Sequence, residues 1–386
     1  MKTITMFTLI ALTIVLFFPA VSVAGEGASV QTKSFTVSKG GIFEIGTDGG
    51  DITVTGWDKD EVFIKADGID ENDLHRLKMT QSGNTVSVKY RSRNRWFGRG
   101  RDVRFEISVP SQFDLDMQTS GGDVKVSGPV SGRLKGSSSG GDIKIENVGG
   151  TVTMSTSGGD IRCDKVQGDA YLKTSGGDIH VGAVSGEAEL ATSGGDISVE
   201  STGKKLTAKT SGGDIIIGEV GAEMSASTAG GDIKIHKVAG NAIASTAGGD
   251  ILLQNATGIV KVKTAGGDIR LENVTGSAEA KTAGGDIIAE LIPTGNGRTR
   301  LLTAGGDVKL FIPENTRANI DAVIRVHGWW NNSVDEYSVK SDFKSSTYEK
   351  DSDADEIHAT YVLNGGGEDI SLETVNSNIY IRKLKK

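Results

Sequence analysis

Gly-Gly-Asp recurs every 18 residues through the middle of the chain, with the aspartate at Asp142, Asp160, Asp178, Asp196, Asp214, Asp232, Asp250, Asp268 and Asp286. A unit this short cannot enclose a hydrophobic core of its own, so successive units must stack and share one. The same tripeptide precedes Asp51, Asp123 and Asp307, and the 72 residues from Asp51 to Asp123 equal four periods, which assigns the irregular ends to the same coil.

Taking the aspartate as position 1, the unit DIRLENVTGSAEAKTAGG from Asp268 holds two strands. Ile269 and Leu271 alternate with Asp268, Arg270 and Glu272, the period-2 pattern of a strand buried on one side. Asn273 to Gly276 turns the chain, Ala278, Ala280 and Thr282 alternate with Ser277, Glu279 and Lys281, and Gly284-Gly285 makes the next corner. Position 2 is isoleucine from Ile143 to Ile287, position 7 is mostly valine, and positions 11 and 13 trade size, Ala170 with Leu172 but Leu206 with Ala208. Small and β-branched residues suit a thin interior in which neighbouring coils lie ~4.8 Å apart. The expected fold is all-β: a single-chain parallel β-solenoid (β-helix) with 18-residue coils and irregular end caps. Cys163, the one cysteine, stands at position 4 between Ile145 and Val181, which makes it a core residue and rules out an intrachain disulfide.

Lys2, the apolar run Ile4 to Phe18, Pro19 and the small residues before Gly25 have the form of a secretory signal, although Ile4 to Ala24 is also long enough to be kept as a single-span anchor at ~20 residues. No cysteine follows the run, which argues against a bacterial lipid anchor. Without Lys2, 41 of the 42 basic residues face 50 acidic ones, a formal charge of −9, and both acidity and export count against nucleic acid as a partner. Residues 1–24 read as a signal peptide, 25–118 as N-terminal irregular β-coils and a cap with a short helix within Asp70 to Met79, 119–312 as the regular solenoid, and 313–386 as C-terminal β-coils and a cap.

GGDITVTGWDKDEVFIKA at 49–66, ISVPSQFDLDMQTSGGDV at 107–124, the repeated T-[SA]-G-G-D-I and GGGEDISLETVNSNIYIRK at 365–383 resemble the bacterial putative-adhesin domain family of unknown function, over most of the mature chain. The resemblance implies a solenoid and an attachment role, and brings no catalytic residues with it. This chain departs from the family in its long uniform middle.

The aspartate column is the most suggestive chemistry. Carboxylates ~4.8 Å apart repel by about 1 kcal/mol per neighbouring pair even in water. Turn amides together with Lys144, Arg162, Lys234 and Arg270, two positions along the same strand, would compensate, and bound calcium is the alternative. The spacing differs from the GGxGxDxUx calcium repeat, which carries two units per coil. A threonine column at position 15, Thr156 to Thr282, would order ice if exposed and flat, but alternation turns it inward as a corner ladder. Lys89 to Arg104, with seven basic residues around Trp96 and Phe97, is either a solvated hairpin tip or a docking site for an anionic lipid, glycan or partner. Trp329-Trp330 is either a sugar-stacking site or a cap plug.

The five histidines have no metal spacing, and nucleophile elbows and phosphate loops are absent. No catalytic, cofactor-binding or metal residue is therefore expected, and no cofactor. The function expected is an exported, adhesin-like, non-catalytic binding or structural surface module, with a self-associating envelope scaffold or a polysaccharide-acting enzyme as alternatives. The expected partner is a cell-surface or envelope component (glycan, lipid or protein), with no integral membrane span after signal cleavage, in the periplasm, at the cell surface or secreted.

Overall fold

The computed structural model describes residues 28–92, 103–294, 297–327 and 334–384. The leader at 1–24, the segment Arg93 to Asp102 and Trp329-Trp330 lie outside the described residues. The regular repeat folds as its pattern demands. In the unit of Asp142, a six-residue strand Ile143–Val148 and a four-residue strand Val152–Ser155 lie on opposite walls. Each pairs in parallel with its equivalent one unit on, Ile143 opposite Ile161, Ile145 opposite Cys163, Val152 opposite Ala170 and Met154 opposite Leu172. The β-solenoid expected from the period is the fold, and stacking the longer strands gives a 17-stranded sheet, here sheet I. Its axis runs roughly 75 Å at the spacing of paired strands. The shorter strands form sheet II, and the core is the thin layer between them.

Positions 2, 4 and 7 from sheet I and 11 and 13 from sheet II are buried in every unit from Asp142 to Asp268, Ile215, Ile217, Val220, Met224 and Ala226 among them. Positions 5 and 6 both turn outward in most units, as Glu146 and Asn147 do, so the strand bends there before position 7 returns to the core. Cys163 is fully buried in this layer; burial, with Asp164 beside it, pushes its thiol up to about 12. It is a packing residue.

The corner explains the invariant glycine pair. A Cβ on Gly213 would lie 2.5 Å from Asp196 Oδ1, and closer still to the carbonyl oxygen of Gly195 in the preceding coil. The second glycine is thus required by close approach of stacked backbones rather than by a left-handed φ, since no regular-coil Gly-Gly pair has one. Threonine completes the corner: Thr210 Oγ1 donates to Gly195 O at 2.8 Å and accepts from Gly213 N at 3.4 Å. The carbonyl bond repeats from Thr119 to Thr303, with Ser138 as the single substitute, and reaches Thr374 in the last coil, so the column is the inward ladder that alternation implied.

The ends depart from the order the spacing suggested. Asp51–Trp57 lies directly against Val124–Ser127, with Ile52 opposite Val124, so the coils of Asp51 and Asp123 are neighbours and the four periods between them are not four stacked coils. The intervening chain goes to the other side: Arg104–Pro110 pairs with the far edge of Asp51–Trp57, then Glu61–Asp70 and Ala28–Thr36 close sheet I antiparallel. In sheet II, Ile42–Thr47 is likewise held between Thr85–Tyr90 and Asp114–Thr119. The carboxyl end repeats the device, with Glu368–Val375 between Arg298–Leu302 and Ala318–Arg325, and Ile379–Lys383 between Val308–Ile312 and Val339–Ser341.

Three of the four outermost strands are poor templates for further pairing; the fourth, Ala28–Thr36 at the amino end of sheet I, is nine residues long. Lys78–Ser82 and Thr347–Asp351 are largely or wholly exposed and carry Lys78, Glu349, Lys350 and Asp351, and Val339–Ser341 is only three residues long. The helix expected within Asp70 to Met79 is a 3-10 helix, Glu71–Arg76, capped by Asp70, whose carboxylate accepts from Asn72 N at 2.9 Å. It buries none of its residues, so the antiparallel strands rather than the helix cover the end.

One unit supplies its own control for the corner. On Gly159 a Cβ would meet Asp142 Oδ1 at 2.7 Å, with the Gly141 carbonyl nearer, whereas on Gly158 nothing lies within 3.5 Å. Gly159→Ala is expected to cost about 1–3 kcal/mol by overpacking, and Gly158→Ala about 0.5 kcal/mol or less. Urea melts of the two variants decide this, and equal losses would mean that backbone freedom, not close approach, selects the pair.

Candidate binding faces

The aspartate column is a continuous hydrogen-bonded ladder along one corner. Asp214 N donates to Asp196 Oδ1 at 2.7 Å, Asp232 N to Asp214 Oδ1 at 2.8 Å, and the pattern runs from Asp51 through Asp123 to Asp307, whose Oδ1 accepts from Asn378 N at 2.9 Å. Each carboxylate satisfies a corner amide that the strand ladder leaves over. The basic residues do less than expected: Lys234 comes within 3.6 Å of Asp232, but Arg162 turns to Asp164 at 3.2 Å and Arg270 to Glu272 at 2.5 Å. Compensation therefore comes mainly from amides. Among the described residues no group of three His, Cys, Asp or Glu side chains is placed to hold a metal ion.

Sheet I presents a column of side chains next to the aspartates. Over its carboxyl half, position 3 alternates apolar with cationic residues in strict register: Ile216, Lys234, Leu252, Arg270, Ile288, Lys309 and Tyr380. On this half of the face Lys237 is also tied to Glu219 at 3.8 Å and Lys309 to Asp286 at 2.9 Å. Tyr380 ends the row with Lys340, Arg382 and Lys309 at 5.3, 5.7 and 6.0 Å from its ring centroid.

Among the shallow furrows on the outer face of sheet II, two are the roomiest. One, of ≈ 470 Å³, lies over the amino half and is lined by Asp116, Lys135, Thr153, Tyr171, Lys173 and Glu189, with Tyr171 39 % exposed as its aromatic wall. The other, of ≈ 580 Å³, is lined by Arg298, Arg300, Asp321, Val362, Asp369 and Glu373. In the second, Glu373 accepts from Arg300 at 2.8 Å and Arg325 at 3.2 Å; partial burial pushes its carboxyl up, but the two guanidiniums outweigh this and hold it below the usual range. Asp321 is occupied by His358 Nε2 at 2.5 Å. Sequence reasoning missed both furrows, because the second joins strands about 70 residues apart through the inserted last coil. Periodicity identifies neighbours only inside the regular stack.

The fold defines a two-sheet parallel β-solenoid with a ladder-locked corner and inserted end coils. The chain belongs to the family described as Toastrack DUF4097, which matches residues 43–239 and again 203–382. No curated protein matches it. Similar solved structures include a putative cell adhesion protein from Clostridium sporogenes, 8% identical, covering 92% of this chain and 100% of its own, with a TM-score of 0.18. A putative adhesin from Bacteroides fragilis is 12% identical, covering 92% of this chain and 97% of its own at 0.20, and one from Parabacteroides distasonis is 12% identical, covering 74% and 98% at 0.31. At these scores the chains do not superpose over their length, and nothing about function follows from them.

Two measurements test the ladder. Asp214→Asn keeps an acceptor for Asp232 N and is expected to cost less than about 0.5 kcal/mol, whereas Asp214→Ala strands that amide and costs about 1–3 kcal/mol. Calcium at constant ionic strength should leave the melting temperature unchanged; a calcium-specific rise, absent with magnesium and removed by changing Asp196, Asp214 and Asp232 to Asn, would make the column a metal ladder. Asp286 gives the pH dependence. Partial burial raises its pKa, but Lys309 and Asp307 N outweigh burial and leave it lowered. A lowered carboxyl stabilises the fold fully above its unfolded pKa and loses that contribution as pH falls through the folded value. Melts between neutral pH and about pH 3 should thus show a steeper loss for the native chain than for Asp286→Asn.

Proposed function

We propose that this chain is an exported, adhesin-like surface module that binds or scaffolds without catalysing a reaction. The observation that carries this reading is the pair of long outer faces, on which exposed side chains stand in parallel register at ~4.8 Å intervals on a backbone fixed by corner ladders. Such a surface suits extended, repetitive contact with an envelope glycan, lipid or protein. The apolar leader at 1–24 supports export, and among the described residues no helix is long and apolar enough to cross a membrane.

The alternative of a self-associating scaffold needs open edges on which a second copy could pair; the short or charged outermost strands at three of the four edges disfavour it, and Ala28–Thr36 is the one long edge. A polysaccharide-acting enzyme would want convergent carboxylates beside an aromatic strip; the Tyr171 furrow has a single aromatic wall, and in the other Glu373 and Asp321 are engaged. A glycan and lipid binding screen of the mature chain is the decisive experiment, with product analysis on each hit and sedimentation velocity alongside. Binding without turnover by a monomer is expected. Turnover of a bound glycan, or concentration-dependent filaments with no ligand bound, would replace this reading with one of the alternatives.

A further inference from the structure

The charges on sheet II are arranged differently from those on sheet I. From Leu206–Lys209 to Arg298–Leu302, the outward positions of its strands carry Lys209, Lys261, Lys263, Lys281, Arg298 and Arg300 against one acid, Glu279. The whole chain is at −8, so this face opposes the sign of the molecule. Glu279 pairs with Lys281 and faces Lys261 in register, whose charge helps to lower its carboxyl, and Arg300 pairs with Glu373, while Lys209, Lys261, Lys263 and Arg298 have no acidic group within 4 Å among the described residues. On the same stretch of sheet I, Lys234, Lys237 and Arg270 all have acidic partners.

Two further features point to a ligand. Lys263 lies directly opposite Lys281 on paired strands, a like-charge contact that costs stability in the free protein. Ile243 and Ile259 are 51 % and 50 % exposed in the middle of the cations, with Ile243 opposite Lys261 in register. Ser225, Ser227 and Ser245 keep the ground between them low. A flat face on which isoleucines stand among unpaired lysines can press its apolar side chains into a headgroup layer while the ammonium groups meet phosphates. A soluble polyanion would use the lysines and leave the isoleucines idle.

We infer that the outer face of sheet II around Lys209, Ile243, Ile259, Lys261 and Lys263 docks on an anionic phospholipid surface, with the solenoid axis lying parallel to the membrane. This rests on the binding role proposed above and names its ligand. The test is co-sedimentation of the mature chain with vesicles of phosphatidylglycerol and phosphatidylcholine in equal parts, against vesicles of phosphatidylcholine alone. The native chain should bind the anionic vesicles only. Changing Lys209, Lys261 and Lys263 together to Gln should weaken binding roughly a hundredfold, at about fivefold per lysine. Lys234→Gln with Arg270→Gln on sheet I should change it less than about twofold, because those cations are already paired. Ile243→Ser with Ile259→Ser should weaken it roughly tenfold or more while leaving the charge untouched. All of these positions are on the surface, and thermal melts confirm that each variant folds. Native-like binding by the isoleucine variant, or equal losses from the two faces, overturns the inference. Absence of vesicle binding overturns it too, and a glycan hit in the screen would then leave the broader binding role standing.

Discussion

At the Gly-Gly-Asp corner the backbones of successive coils come closer than any side chain allows, and the rest of the molecule is organised around that approach. The second glycine admits the neighbouring carbonyl and carboxylate, the threonine hydroxyl ties that carbonyl, and the aspartate takes the next coil's amide. Three bonds of about 1 kcal/mol net each are modest singly, yet they recur in every coil and all act at one point. They fix the rise and rotation of each unit, so the two sheets need only thin layers of aliphatic side chains to remain in register. A one-residue slip would remove both ladders and turn the isoleucine column outward together.

The regular stack was legible because every constraint in it repeats. Isoleucine at position 2, threonine at position 15 and the glycine pair each fit one environment, and nine copies of that environment lie in line. The ends were not legible for the same reason. Between Asp51 and Asp123 the spacing is four periods, but the chain uses those residues for one further coil and an antiparallel cover, so Asp123 N donates directly to Asp51 Oδ1. A period says how long a coil is; it does not say in which order coils are placed. At both ends the coil nearest the terminus is inserted one place inward, which leaves strands such as Lys78–Ser82 and Thr347–Asp351 outermost, where charge matters more than packing.

The surface was half legible. Alternation identified which residues point out, and hence that sheet I has aspartates beside basic residues; the lysines of sheet II were not singled out. Which of them neutralise one another depends on side-chain reach. Arg162 and Arg270 could have served the carboxylates two residues before them or two after, and they turn to the latter, whereas Lys234, with His236 two residues on, turns back to Asp232, whose Oδ1 accepts a corner amide just as theirs do. On sheet II the strand of Lys261 and Lys263, Val260–Lys263, holds no acid, and Glu279 across from Lys261 is taken by Lys281.

Parallel in-register stacking raises the cost of unbalanced charge, since whatever stands at one position stands ~4.8 Å from its counterpart in the next coil. The aspartate column tolerates this through its amides. Over the carboxyl half of sheet I position 3 tolerates it by alternation, which sets Lys234, Arg270 and Lys309 two coils apart with Leu252 and Ile288 between them, whereas Lys125, Lys144 and Arg162 stack directly in the amino half. Lys263 opposite Lys281 uses neither device. Like Lys144 between Lys125 and Arg162 on sheet I, that contact stacks positive charge that negative charge from outside the molecule would relieve. It lies on the same face as the exposed Ile243 and Ile259.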